Sequence, residues 1–247
     1  MFNVITNYPV AYESPDHIWG HNPIENNYAN TKFNHRLYEI LDNLEAKITD
    51  WGCAGGGFIR ECLDDGYAAV GLEGSDIAAK QMYANWPLLY NKNLFTCDIT
   101  REFQITFNGE ACKFDCITSW EVLEHIHADA VDTLMSNIVK HIKPGGYYIC
   151  SIHCGSAEHC KMTFGHEWGT KYGHTSLHQN VNTPEYWDRL FWRWGFEYKR
   201  SMKESFQGQF IRGPGIGCWP NPESDIYDKP AIADQYASIN RVYQRVK

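Results

Sequence analysis

Residues 48–76, ITDWGCAGGGFIRECLDDGYAAVGLEGSD, hold two apolar runs separated by a turn of small residues and a short amphipathic segment. Ala46 to Trp51 reads as a buried strand, Gly57 to Asp65 as a helix and Ala68 to Glu73 as a second strand, a βαβ unit with parallel strands. Between the first strand and the helix, Gly52, Cys53, Ala54, Gly55 and Gly56 carry so little side chain that backbone can approach a ligand closely. Asp50 precedes this turn. Glu73 ends the second strand, where an acid about 20 residues past the turn can accept both hydroxyls of a ribose. A dinucleotide site favours G-x-G-x-x-G, whereas the spacing here is D-x-G-x-A-x-G, from Asp50 through Gly52 and Ala54 to Gly56. The ligand therefore has a ribose with a base beside it, and the cofactor is a different one.

Outward from this unit the alternation continues. Residues 93–98 and 114–120 read as third and fourth strands, 129–142 as a helix, and the KPGG turn leads into a fifth strand at 147–153. Asp76 is placed to cap a helix that Pro87 stops near NWP. Before the unit, Phe33, Leu37, Ile40, Leu41 and Leu44 recur at helical spacing over 32–46, and residues 1–30 form an irregular arm. After it, 154–182 form a long loop over the carboxyl edge of the sheet. Thr183 and Pro184 start a helix that runs to Gly195, and FEYKRSMKE and SINRVYQRV are final strands joined by a Gly/Pro-rich segment, 207–234. The expected fold is α/β: a doubly wound, mostly parallel, seven-stranded Rossmann-like sheet. One domain is expected over 1–247, with an arm (1–31), a cofactor-binding core (32–153) and a substrate-side part (154–247) that contains the inserted loop.

Composition narrows the function. The 247 residues are 43% apolar and 15% aromatic with 21% charged, which suits a folded globule. A net charge of -8 disfavours a nucleic-acid partner held mainly by phosphate contacts. Nine scattered cysteines read as buried thiols in a reducing compartment. No basic segment followed by an apolar one opens the chain, and no apolar run is long enough to span a membrane, so a soluble cytoplasmic protein with a small-molecule substrate is expected.

Residues 46–153 resemble the class I S-adenosylmethionine-dependent methyltransferases, whose first turn reads acid-x-Gly-x-Gly-x-Gly. DWGCAGGG matches that motif with Ala54 in place of the middle glycine, which trims space near the methionine part. VGLEGSD matches the second motif, LFTCDIT the third, FDCITSWEVLEHI the fourth, and KPGGYY the turn before strand five. The resemblance implies S-adenosylmethionine as cofactor. Asp50, Gly52, Cys53, Ala54 and Gly56 would lie at the turn, Glu73 with Gly74 and Ser75 at the ribose, Asp98 with Ile99 at the adenine, and Trp120 beside it. The plainer readings are that the glycines only close a tight turn, that Asp98 only caps a turn, and that Trp51 and Trp120 belong to the core.

Methyl transfer from a sulfonium is an in-line displacement, so the acceptor side identifies the reaction. Glu121, Glu124 and His125 leave strand four as E-x-x-E-H, a spacing that puts all three on one face of a turn. Two carboxylates and an imidazole suit a divalent cation such as magnesium, manganese or zinc. The same run is similar to that of ubiquinone-biosynthesis O-methyltransferases and of small-RNA 2′-O-methyltransferases, where it binds a metal, in the latter with a further downstream histidine. That likeness implies a metal set of Glu121, Glu124, His125 and His174, with Glu121, His125 and His174 as the catalytic group. The loop also holds His166 and His178, the latter the alternate to His174. EVLEH occurs as well in metal-free relatives, where its polar side chains cap a helix. HCGSAEHC, with His153, Cys154, His159 and Cys160, has no standard zinc-knuckle spacing. The expected activity is O-methylation of a small polar metabolite or sugar derivative. The alternatives are N-methylation of a small amine and a catalytically silent cofactor-binding subunit.

Overall fold

The computed structural model describes residues 1–18, 30–155, 178–212 and 238–247. It opens with a strand, β1 (Phe2–Thr6), and one helical turn, α1 (Pro15–Ile18), where an irregular arm is expected. Alternation along FNVIT turns Phe2 and Val4 inward, and the strand pairs antiparallel with the distant segment Phe103–Phe107.

Helix α2 (Thr31–Leu41) starts at Asn30, whose side chain accepts from the Lys32 and Phe33 N–H groups. It ends earlier than the expected 46. Asp42 takes a left-handed φ of 44° and closes the last turn onto the Tyr38 carbonyl, leaving Leu44 75% exposed. The central unit follows as read: β2 (Lys47–Trp51), α3 (Gly57–Asp64) and β3 (Ala68–Glu73). Asp76 sits at the N-cap of α4 (Ile77–Gln81), but its side chain makes no capping bond; its carboxylate pairs with Lys80 at 2.8 Å. Pro87 does not stop this helix. It lies in the first turn of a separate short helix, α5 (Trp86–Leu89), where a missing N–H costs nothing.

Strand β4 (Leu94–Thr96) precedes an unforeseen hairpin, β5 (Phe103–Phe107) and β6 (Glu110–Ala111), turned by Asn108 and Gly109 with φ of 53° and 87°. Strand β7 (Phe114–Trp120) runs as read. Helix α6 (Val131–His141) follows a 3-10 turn at Ala128–Ala130, and β8 (Ile142–His153) begins at once rather than after KPGG. The register steps from Phe114 opposite Ile142 to Cys116 opposite Tyr147, so KPGG is accommodated as an irregularity inside the strand.

Helix α7 (Pro184–Arg193) is capped by the Thr183 side chain, as expected. FEYKRSMKE is not one strand: β9 (Phe196–Tyr198) gives way to α8 (Arg200–Ser205), which turns the partly buried Met202 and the fully buried Phe206 after it towards the core. Strand β10 (Ser238–Arg245) completes the described elements.

The main sheet has seven strands in the order β4-β3-β2-β7-β8-β10-β9. The first five are parallel, and β10 runs antiparallel to both β8 and β9. Side chains alternate between two cores. Helices α2 and α3 cover one face over Ile48, Cys116 and Ile149; α6 and α7 cover the other over Trp51, Ile117 and Tyr148. Strand order reverses between β2 and β7, so the crevice where such sheets bind ligands lies at their carboxyl ends. Among the described residues no helix is long and apolar enough to cross a membrane. The seven described cysteines are buried free thiols; Cys160 and Cys218 lie outside the described residues.

Candidate active site

A cleft of about 910 Å³ opens at that crevice, within the range that takes a small molecule. On one side it is walled by the turn after β2. Gly52 and Gly56 have φ of 82° and 76°, and Ala54, the departure from glycine, is itself left-handed at 47°. A Cβ on Gly52 would lie 2.5 Å from Val122 Cγ2, and one on Gly56 would lie 2.6 Å from Leu94 Cδ1. Backbone conformation and neighbouring side chains together thus hold the turn to glycine at these two places.

Two acids face this turn. Asp50 is buried and accepts a 2.6 Å hydrogen bond from Thr118 Oγ1. Burial, reinforced by the charge on Glu73 and opposed by that hydrogen bond, pushes its carboxyl up to about 7. Glu73 accepts from the Ala54 N–H at 2.9 Å with one oxygen and from the Ser75 N–H at 3.0 Å with the other. Burial raises its pKa as well, against the pull of these N–H groups. Each oxygen keeps a lone pair for a further donor.

Gly74, Ser75, Asp98 and Ile99 line the same side. Asp98 Oδ1 accepts from both the N–H and the hydroxyl of Thr100, so Asp98 does cap its own turn, and it does so at the cleft wall. The two tryptophans divide. Trp51 is wholly core, edge-on to Phe103 and His141, whereas Trp120 packs on Phe33 and also lines the cleft. Cys53 lines it too, beneath the turn.

The opposite side is built around the end of β7. Glu121 takes a left-handed φ of 55°, fixed by Ser151, whose Oγ and carbonyl accept from the Glu121 N–H. Its Oε2 accepts from Ser238 Oγ at 2.7 Å on β10, and its Oε1 is buried with no partner among the described residues. A 3-10 turn, Leu123–His125, then brings Glu124 and His125 inward. Glu124 is fully buried. Its Oε1 accepts from the His153 N–H at 3.0 Å, while Oε2 has no partner among the described residues. Burial first, then the charge on Glu121, raises the Glu124 carboxyl far above the usual range.

His178 reaches the cluster because the Gln179 and Asn180 N–H groups bond to the Glu124 carbonyl. Its ring centre lies 4.9 Å from that of His125 and 4.7 Å from that of His153. Glu124, His125 and His178 can bring one ligand atom each to within 4.8 Å of one another. Of the two loop histidines expected here, His178 is thus the one placed at the cluster; His174, like His166, His159 and Cys160, lies outside the described residues.

Two participants were not read from sequence. His153, whose sequence setting HCGSAEHC points only to a nonstandard zinc spacing, faces the cluster, while its neighbour Cys154 is buried in the core. Asp16, in α1, accepts a 2.7 Å hydrogen bond from His125 Nδ1. Burial pulls the His125 imidazole down, but Asp16, with Glu124 and Glu121, outweighs it and lifts the ring to about 9. Burial and the neighbouring imidazoles lower His178 and His153 instead.

A seven-stranded sheet in this order, with a glycine turn after its first central strand and an acid ending the next, is the architecture of the class I S-adenosylmethionine-dependent methyltransferases. The methyltransferase-domain family model matches residues 25–200, and the chain belongs to this family of S-adenosylmethionine-dependent enzymes. No curated protein matches the sequence. Solved structures do.

A putative sarcosine dimethylglycine methyltransferase from Galdieria sulphuraria superimposes with a TM-score of 0.54 at 12% identity, covering 87% of this chain and 84% of that one. Burkholderia thailandensis 1,6-didemethyltoxoflavin-N1-methyltransferase, with 1,6-didemethyltoxoflavin and S-adenosylhomocysteine bound, gives 0.53 at 14%, covering 96% and 84%. Magnesium protoporphyrin IX methyltransferase from Synechocystis PCC 6803, with S-adenosylhomocysteine bound, gives 0.51 at 14%, covering 87% and 81%. At such identities these likenesses concern the fold.

Proposed function

We propose that the chain is an O-methyltransferase of a small polar acceptor, assisted by a divalent cation. The observation that carries this reading is the cluster of Glu124, His125 and His178, whose ligand atoms lie within 4.8 Å of one another behind the cleft wall, with Glu124 Oε2 buried and no donor to it among the described residues. Buried carboxylate oxygens without donors are costly, and a cation satisfies them. With Asp16 the cluster holds three carboxylates and three imidazoles, a mixed N/O set suited to manganese, magnesium or zinc. Glu121, Glu124, His125 and His178 would hold the ion, and His174 remains a further candidate.

The other side of the cleft would hold the cofactor. Glu73 would accept the ribose hydroxyls while its two backbone bonds fix the turn, Asp98 would face the adenine, and Trp120 would close the pocket. The carboxylates of Asp50 and Glu73 complement the positive charge of the sulfonium and the methionine ammonium. The acceptor hydroxyl then lies between Trp120 and the Glu121–His125 turn, in line with the transferring methyl. Methyl transfer would form the O–C bond as the C–S bond breaks, leaving a neutral thioether, and the hydroxyl proton would be lost towards the Glu–His cluster. A bound cation would supply Lewis acidity that eases loss of that proton. His125 is not the base in the metal-free state, because a ring lifted to about 9 already carries its proton at neutral pH.

The test is incubation of the protein and S-adenosylmethionine with a metabolite extract, followed by mass spectrometry for methylated products. The expected product is an O-methyl compound that disappears with chelator and returns with manganese or magnesium. An N-methyl product, or turnover indifferent to chelator, would replace this reading with a metal-free amine methyltransferase. Cofactor binding with no product under any condition would make the chain a silent subunit.

A further inference from the structure

We infer that Asp16 is the positioning carboxylate of the cation site, acting through His125. The inference rests on the cation reading above. A histidine that ligates a metal through one ring nitrogen usually donates the N–H of the other to a carboxylate, which fixes the tautomer and aims the ring. His125 Nδ1 lies 2.7 Å from Asp16 Oδ2, so Nδ1 carries the proton and Nε2 is the nitrogen left to ligate. Both partners are well covered, with side-chain exposures of 13% for His125 and 29% for Asp16, which strengthens the bond over a surface pair. No other described residue bonds Nδ1.

Asp16 is held for this task by contacts remote from the cluster. The Ala11 N–H donates to the Gly74 carbonyl at 2.9 Å, beside the ribose acid, and the Asp98 N–H donates to the Tyr8 carbonyl at 2.9 Å. The Ile18 N–H then closes α1 onto the Ser14 carbonyl at 3.0 Å. One short segment, Tyr8 to Ile18, is thus pinned to the cofactor edge of the cleft, and its Asp16 reaches His125 on the acceptor edge. The groups that face His125 are Asp16 from α1, Glu121 and Glu124 from its own turn, His153 from β8, and His178. Asp16 is the one of these that lies on the Nδ1 side without belonging to the proposed ligand set.

The test is manganese affinity, read by electron paramagnetic resonance and by calorimetry, in the wild type, Asp16→Ala, Asp16→Asn and Glu124→Ala. S-adenosylhomocysteine affinity is measured alongside. Wild type is expected to bind manganese and Glu124→Ala to lose it. Asp16→Ala should bind about 10- to 100-fold more weakly, the usual cost of losing such an outer partner. Asp16→Asn, whose amide oxygen can still accept from Nδ1, should recover part of that loss. Manganese affinity in Asp16→Ala equal to wild type would overturn the inference and leave the cation reading standing. Equal loss of manganese and S-adenosylhomocysteine in both Asp16 variants would also overturn it, making Asp16 a brace of the arm. Absence of manganese binding in the wild type, with and without S-adenosylhomocysteine, would remove the cation reading and this inference together.

Discussion

Replacing Glu73 by alanine separates two roles that its carboxylate is proposed to combine. The side chain already accepts two backbone hydrogen bonds, from Ala54 and Ser75, and the proposed ribose adds two more donors. For the cofactor, losing the acceptor is expected to cost on the order of 1–3 kcal/mol, the range for leaving buried donors unpaired, or about 5- to 150-fold in affinity. For the free protein the Ala54 and Ser75 N–H groups lose their partner, and relief from burying a carboxylate offsets part of that cost. The thermal midpoint should therefore move less than the affinity does. Glu73→Gln sharpens the distinction. Its single carbonyl oxygen can serve one of the two N–H groups while its amide opposes the other, so the turn should loosen although the side-chain volume is unchanged. The assays are calorimetry with S-adenosylhomocysteine and thermal unfolding without it. A folded Glu73→Ala protein that binds within twofold of wild type would refute the ribose assignment.

Other consequences are equally open to measurement. Gly56→Val should lose at least tenfold in cofactor affinity and unfold at lower temperature, because its Cβ meets Leu94 at 2.6 Å and its φ is 76°; normal binding would show the turn to be misplaced. With Asp50 lifted to about 7 in the free protein, a cationic cofactor would bind the ionised form, so affinity should rise with pH by up to about tenfold per unit below 7 and level off above it. Asp50→Asn should flatten that profile, and a wild-type profile flat from pH 5.5 to 8 would remove Asp50 from the cofactor's electrostatics. His141 accepts the Ile105 N–H, donates to the Asn137 carbonyl and is pushed by burial down to about 4. A depressed folded-state histidine contributes stability that is intact above the unfolded value of about 6.5 and lost as pH falls towards 4. Thermal unfolding across that window should show the loss, and His141→Gln should reduce its slope.

Where fold-determining signals are local, the sequence was readable. Strands β3 and β7 match their expected limits because Glu73 closes the apolar AAVGL run of β3 and the charged Lys113 and Glu121 bracket β7, and Thr183-Pro184 starts α7 by its own chemistry. The errors have physical sources. Leu44 keeps helical spacing with Leu37 and Leu41, but Asp42 turns left-handed before it can join that face. The β5–β6 hairpin is marked in sequence only by Asn108-Gly109 between two short strands, and β1 needs a partner about a hundred residues away to become a strand. In the site, Asp50, Glu73, Glu121, Glu124 and His125 were legible because each lies at or shortly after the carboxyl end of a strand, within a short motif. Asp16 and His153 were not, since only tertiary contacts bring them to His125 and Glu124.

The place of β10 in the sheet sets an order of assembly. Among the described residues β9 pairs only with β10, and β10 also supplies the Ser238 hydroxyl that holds Glu121. The glycine turn, Glu73 and Asp98 can close on one another from within a single stretch of chain. The Glu121 side must instead wait for a strand made after every element it joins, and inserting such a strand between two others is a slow, long-range event. A refolding experiment should therefore recover binding of S-adenosylhomocysteine before it recovers binding of manganese.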